Sequence, residues 1–359
     1  MVEPTLVAHP ADARADLPID LALQGGGAHG AFTWGVVERL FEEPRLRIES
    51  ITGASAGSMN AVVIAHGYAL GGTAGVKAAL ERFWGDVSDA ASFSPVQRTP
   101  LDRATGNWSL DSSPGYWFFD FFSRLFSPYE FNPANLNPLR DILEASVDFE
   151  RLKDSPIKLF INATNVRTGL PRVFRNAELS ADVILASACL PLMHQAIEID
   201  GDPYWDGGYS GNPLLTPLIH ERQARDIVLV QINPVERPGA PKTAREIINR
   251  LNEISFNSSL KKELRAIAMF QRLIGSGHAL RDVDWAEDWA MVRLHRVTTP
   301  MLVELNASSK LNAEWAFLSR LREEGWACAH GFLQAHGCDL GVRSSYDIST
   351  LLHTLLEQG

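Results

Sequence analysis

Residues 19–70 read IDLALQGGGAHGAFTWGVVERLFEEPRLRIESITGASAGSMNAVVIAHGYAL, and their order decides the fold. The run from Ile19 to Gln24 is short and apolar and meets Gly25-Gly26-Gly27 at once, which predicts a buried strand ending in a tight loop. Behind the loop, Phe32, Val36, Val37, Leu40 and Phe41 recur at helical spacing. RLRIESIT predicts a second strand, GASAG a tight turn, and SMNAVVIAHGYAL a buried helix. Strand, glycine loop, helix, strand, turn and helix open a parallel α/β sheet.

Gly53-Ala54-Ser55-Ala56-Gly57 fits GxSxG at the predicted strand-to-helix turn. A serine oxygen attacks only where the backbone thrusts it into a cleft beside a base, and a sharp turn flanked by small residues does this. The following helix would aim its N-terminal dipole at the reacting centre. Ser55 is the candidate nucleophile; the plainer alternative is a helix start capped by Ser55 or Thr52. If the first glycine loop lies beside Ser55, the amides of Gly26, Gly27 and Ala56 can receive an oxyanion, and side chains there would block approach. The rival reading takes Gly25, Gly27 and Gly30 as the GxGxxG of a dinucleotide site, with Glu43 or Glu49 as its acidic partner. That reading leaves GASAG without a use.

The whole chain has 359 residues, 45% hydrophobic and 21% charged, which is ordinary globular usage and enough for one large α/β domain or two smaller ones. A net charge of -10 argues against nucleic acid, or an anionic bilayer, held by bulk electrostatics. Cys189, Cys328 and Cys338 form no CxxC pair and read as reduced thiols, not as a disulfide frame or a zinc site. Residues 1–17 read as a polar, mobile leader without signal-peptide character, and the apolar run 54–80 is too interrupted to span a membrane. A cytoplasmic protein is expected.

Residues 92–137 are rich in Pro, Ser, Asn and aromatics and show no clear periodicity. Further strands are expected in IKLFINATNV, near RVF, in DIVLVQINP and in WAMVRLHRV, and a hairpin in AIEIDGDPYWDGG turned at Asp200-Gly201. A helix is expected around ELSADVILASA, and VERPGAP reads as a linker. A long amphipathic helix follows, with Ile247, Leu251, Ile254, Leu264 and Ile267 on one stripe. A helix from Ala313 to about His336 and a short one after Asp347 complete the chain.

Asp206-Gly207-Gly208 follows the hairpin and by itself reads as a turn. GGGxxG after the first strand, GASAG after the second and DGG far downstream, in that order, resemble the patatin-like phospholipases. ASACLPLM (186–193) is similar to that family's proline-containing third block, and GGYSGNPLL continues the DGG block as the family does. The resemblance covers about residues 19–234. It implies a three-layer α/β fold, with a mostly parallel central sheet between helices, and hydrolysis of glycerolipid acyl esters by a Ser–Asp dyad with no metal or other cofactor. Carried over residue by residue, it makes Ser55 the nucleophile and Asp206 the base. Gly25, Gly26, Gly27 and Ala28, with Ala56, become the oxyanion hole, and Gly53, Gly57, Gly207 and Gly208 support the turns. The family loop usually has Arg or Lys where this chain has His29.

The expected organisation is therefore a leader (1–17), a catalytic domain (18–234) with an aromatic cap insertion near 92–137, and a mainly helical extension (235–359) packed on it. The implied partner is an acyl lipid or other ester, with transient lipid-surface contact and room for a homo-oligomer. An acyltransferase with the same nucleophile and a non-catalytic lipid-binding protein stay open, as does His194 as the base of a Ser-His-Asp triad. Tyr116, Trp117, Phe118, Phe119, Phe121, Phe122, Phe126, Tyr129 and Phe131 crowd the insertion. At least half are expected to pack a satellite core, the rest to line an acyl-chain groove.

Overall fold

The computed structural model describes residues 17–276 and 284–351. The expected leader lies outside them apart from Leu17, as does most of the helix expected after Asp347. Strand β1 (Leu17–Leu23) leads through the glycine loop into α1 (Gly30–Phe41), and β2 (Leu46–Gly53) leads through the GASAG turn into α2 (Ala56–Ser92). Then come β3 (Lys158–Asn165), β4 (Pro171–Arg175), β5 (Ile197–Ile199), β6 (Asp202–Trp205), β7 (Asp226–Val230) and β8 (Arg293–Val297). Across the sheet the order is β5-β6-β3-β2-β1-β7-β8, with β4 also on β3. β3, β2, β1, β7 and β8 run parallel, while β4 and the β5–β6 hairpin pair antiparallel. Asp200 and Gly201 turn that hairpin at positive φ.

Alternate residues of the central strands feed two apolar cores, which is what makes three layers. Ile19, Leu21, Leu23, Val228 and Val230 point to the side of α1, α2 and the helix Trp315–His336. Ala22, Ile227 and Leu229 point to the side of the helices Thr216–Glu221 and Ala244–Gly275. The helix Trp315–His336 lies close on α1 because a glycine on each helix faces the backbone of the other. A Cβ on Gly35 would stand 1.8 Å from the Arg322 carbonyl oxygen, and one on Gly325 2.0 Å from that of Phe32.

Two expectations need correction. In the long helix Ala244–Gly275, Leu264 and Ile267 are buried, but Ile247, Leu251 and Ile254 are exposed. Its first half instead turns Glu253, Phe256 and Asn257 inward, because there it packs beneath a polar loop: Asn257 donates to the Pro234 carbonyl and Glu253 accepts from Arg237. The insertion is also more regular than its composition suggested, with helices Pro100–Thr105, Pro114–Leu125 and Pro128–Phe131. Of its nine rings only Tyr116 is buried. Phe118, Phe119, Phe121, Phe122, Phe126 and Phe131 make contacts among themselves but stay partly or largely exposed, so they do not form the buried satellite core expected.

Candidate active site

The parallel arrangement places the loops after β1, β2 and β7 at one end of the sheet, where open α/β sheets bind ligands. Ser55 occupies the turn from β2 to α2 at φ 53°, ψ −126°, a conformation that side-chain-bearing residues rarely adopt. Neighbours hold it there. Its amide donates to both the carbonyl (3.1 Å) and the hydroxyl (3.0 Å) of Ser187, and its carbonyl accepts from the Ser58 hydroxyl at 2.6 Å. Gly53 closes β2, and Gly57 lies in the first turn of α2.

Asp206 follows β6 and is completely buried. Its amide donates to the Cys189 carbonyl at 2.8 Å, and its own carbonyl accepts from the Thr164 hydroxyl at 2.8 Å. Oδ1 accepts from the Gly208 amide at 2.7 Å, so Gly207 and Gly208 form the turn that aims the carboxyl. Oδ2 has no hydrogen bond of good alignment among the described residues. The Ser55 hydroxyl lies close enough to draw the carboxyl's pKa down, yet short of such a bond. Burial wins over the Gly208 amide, Ser55 and the Lys310 ammonium, and pushes Asp206 up to about 7. The same burial raises the Cys189 thiol and the Tyr209 phenol beside it to about 12.

The first glycine loop does lie against Ser55. A Cβ on Gly25 would stand 2.5 Å from the Ser55 Cβ, so only glycine allows this approach. Asn212 clamps Gly25 from both sides, accepting from its amide (2.6 Å) and donating to its carbonyl (3.3 Å), and Asn233 donates to the same carbonyl at 2.6 Å. The Gly25 amide is thereby occupied. Those of Gly26, Gly27 and Ala56 donate to no protein acceptor among the described residues, and Ala28 is buried in the short turn Gly27–His29. The Asn162 amide group donates to the carbonyls of Gly207 and Gly211 at 2.9 Å each, while its backbone carbonyl accepts from the Ser187 hydroxyl at 2.8 Å. Asn162 thus ties the Ser55 turn to the Asp206 turn.

His29 points away from both. Its buried Nε2 pairs with the Ser309 hydroxyl at 2.8 Å, its ring meets Phe317 edge-on, and burial holds its pKa well below the usual histidine value. Burial likewise lowers His194, whose Nδ1 has no partner, and no histidine ring bonds to Ser55 or Asp206 among the described residues. Sequence reasoning assigned no role to Ser187 and Asn212, although they lie within ASACLPLM and GGYSGNPLL, and passed over Asn162, Asn233 and Lys310, which no motif marks. Among the described residues no group of His, Cys, Asp and Glu could hold a metal ion, and no helix is long and apolar enough to cross a membrane.

Comparison with known proteins places this geometry. No curated protein matches the chain. Eleven chains of solved structures match, among them VipD from Legionella pneumophila, at 16% identity and a TM-score of 0.39 over 89% of this chain and 67% of that one. The sequence model of the patatin-like phospholipases matches residues 21–219, a span that takes in the glycine loop, the Ser55 turn and the Asp206 turn. The chain belongs to the patatin-like phospholipase family.

Proposed function

We propose that the protein is a serine acyl-ester hydrolase acting on glycerolipids, with Ser55 as nucleophile and Asp206 as base. The observation that carries this reading is the free Oδ2 of a fully buried aspartate facing a serine held at positive φ. A carboxyl whose pKa lies near working pH is a far better proton acceptor than one near the usual 3.9. Asp206 Oδ2 takes the Ser55 proton as the hydroxyl oxygen attacks the ester carbonyl. The amides of Gly26, Gly27 and Ala56 receive the oxyanion, while Gly25, its own amide engaged by Asn212, serves by shape. Asp206 returns the proton to the leaving alcohol, and water then cleaves the acyl-enzyme by the reverse steps. The dinucleotide reading gives no use to a serine turn packed directly on Gly25, whereas the hydrolase reading uses both.

The test is labelling by a small fluorophosphonate alongside hydrolysis of a phospholipid and of a short-chain ester. Ser55→Ala, with an unchanged melting temperature, is expected to abolish labelling and both hydrolyses together. Full hydrolysis by that variant would discard the reading. Acyl transfer to added alcohols, outpacing hydrolysis, would instead assign the same nucleophile to a transferase.

A further inference from the structure

Chain presses on the glycine loop from three sides. Gly25 meets Ser55, a Cβ on Gly26 would stand 2.9 Å from Ile232 Cδ1, and one on Gly27 2.4 Å from the Lys310 carbonyl oxygen. Ile232 and Asn233 follow β7, and Lys310 lies in the short turn Ala307–Leu311, all beyond the matched family span. Packing sets where the loop lies. Polar contacts set which way the peptide between Gly25 and Gly26 faces, because its two flanking glycines tolerate many orientations. Its carbonyl accepts from Asn212 Nδ2 at 3.3 Å and from Asn233 Nδ2 at 2.6 Å. In a planar trans peptide the N–H points opposite to the C=O, so these contacts aim the Gly26 amide away from both asparagines. That amide is one of those that meet no protein acceptor among the described residues.

The direction of the Asn233 amide is fixed in its turn. Lys310 Nζ donates to Asn233 Oδ1 at 2.8 Å, and an ammonium can only donate. The amide oxygen must therefore face Lys310, which leaves the NH2 group for the Gly25 carbonyl and, at 3.3 Å, for Gln24 Oε1. Gln24 Oε1 is itself held as an acceptor by the backbone amides of Ile232 at 3.0 Å and Asn233 at 2.9 Å. Turning the Asn233 amide over would set donor against donor and acceptor against acceptor. We propose that Asn233 is a positioning residue of the oxyanion hole: oriented by Lys310, it holds the Gly25 carbonyl so that the Gly26 N–H is presented to the reacting oxygen beside Ser55. The proposal rests on the reading of Ser55 as nucleophile. Asn233 acts through one peptide and touches no reacting atom. Charge develops on the ester oxygen only as Ser55 attacks, so a misdirected Gly26 amide weakens the transition state more than the bound ester. The loss then falls on kcat and leaves KM in place.

The test is Asn233→Asp, which keeps the size of the side chain and the Lys310 contact but turns a donor into an acceptor against the Gly25 carbonyl. Hydrolysis of a soluble short-chain ester is followed at about pH 9, well above the Asp206 pKa of about 7, so that a shifted base does not enter. With the melting temperature showing a folded chain, kcat is expected to fall about tenfold to a hundredfold at unchanged KM, the scale of a misplaced oxyanion donor. If Asn233→Asp fails to fold, Lys310→Met, which leaves Asn233 in place but frees its amide to turn over, is judged by the same split. A folded variant with wild-type kcat, or with a loss carried by KM alone, overturns the proposal and leaves the nucleophile standing. Wild-type protein that a small fluorophosphonate does not label at Ser55 overturns the nucleophile reading, and the proposal with it.

Discussion

As the proposed base, Asp206 meets two conflicting demands, since the burial that would make it useful also makes its charge expensive. Its pKa of about 7 in the folded chain, against about 3.9 in an unfolded one, gives the sign of both consequences. The proposed mechanism requires the ionised form, so kcat/KM is expected to rise with pH through a midpoint near 7, which a pH–rate profile on a soluble ester checks. Stability runs the other way. Between about pH 4 and pH 7 the unfolded state releases a proton that the folded state keeps, so this residue destabilises the fold as pH rises. Asp206→Asn should therefore cost a factor on the order of 10²–10⁴ in rate while stabilising the fold at pH 8 by up to about 4 kcal/mol. A variant that is inactive and less stable than wild type at pH 8 would contradict this assignment of the burial cost. Ser55 and Asp206 are legible in the amino-acid sequence because GxSxG and DGG are local patterns. Asn162 and Ser187 are not legible as their connection, because hydrogen bonds between residues 25 to 45 positions apart leave no pattern along the chain.

At the scale of elements, the insertion shows what composition concealed. Thr99-Pro100, Ser113-Pro114, Ser127-Pro128 and Asn137-Pro138 each pair an N-cap residue with proline at the first helical position. Thr99 with Asp102 and Ser127 with Glu130 complete capping boxes. Read as caps, these residues announce helices; read as composition, they suggest a loop. The helix Pro114–Leu125 presents Trp117, Phe118 and Phe121 to solvent, with exposures of 58, 63 and 60%. Both ends of its segment are fixed, through the Leu110 amide on the Ser308 hydroxyl at one end and the Tyr129 hydroxyl accepting from the Ala196 amide at the other. An apolar face largely open to solvent, its segment anchored at both ends, suits the surface of a lipid aggregate or a long acyl chain. Replacing Trp117, Phe118 and Phe121 by Ser removes mostly exposed apolar surface, together with the Trp117 bond to the Asp111 carbonyl and the contacts on Phe122, so the melting temperature should fall only modestly. The ratio of kcat/KM on a long-chain ester to that on a two-carbon ester should fall at least about tenfold, the loss of roughly one buried apolar side chain. An equal loss on both esters would return the helix to a purely structural role. The long helix Ala244–Gly275 gives the converse lesson: its apolar periodicity was visible, but which face it buries was set by the polar loop above it.

For the whole molecule, the parallel sheet separates two ends with different work. The ends of β1 and β2 carry the glycine loop and Ser55, whereas Asp226 opens β7 at the opposite end. There His295 Nε2 pairs with Asp226 Oδ1 and His295 Nδ1 with the Ser345 hydroxyl, both at 2.9 Å, the residue types of a hydrolytic triad. Their setting argues for fastening instead of catalysis. Both His295 and Asp226 are shut off from solvent, and Arg293 donates to Asp226 at 2.6 and 3.0 Å and the Gly341 amide at 2.9 Å, so the carboxylate is held as an ion-pair anchor. The Ser345 amide is used as well, by the Leu294 carbonyl at 3.1 Å. This cluster binds the segment around 341–346 to β8 and β8 to β7, which makes the C-terminal part of the chain continuous with the central sheet. Burial alone would raise the Asp226 carboxyl, but His295, Arg293 and the Gly341 amide outweigh it and hold it down at about 2. A carboxyl lowered in the fold stabilises it above the unfolded value of about 3.9, and that contribution is lost as pH falls towards 2. Asp226→Asn should accordingly cost about 3–5 kcal/mol at pH 7, the usual penalty for removing one partner of a buried ion pair. The gap between variant and wild type, read from urea unfolding at successive pH values, should then narrow between pH 4 and pH 2. Under the proposed function its ester hydrolysis, measured at a temperature where the variant stays folded, should match wild type, because among the described residues nothing in this cluster bonds Ser55 or Asp206. A folded Asp226→Asn chain with lost activity but wild-type stability would instead mean that chemistry is done at both ends of the sheet.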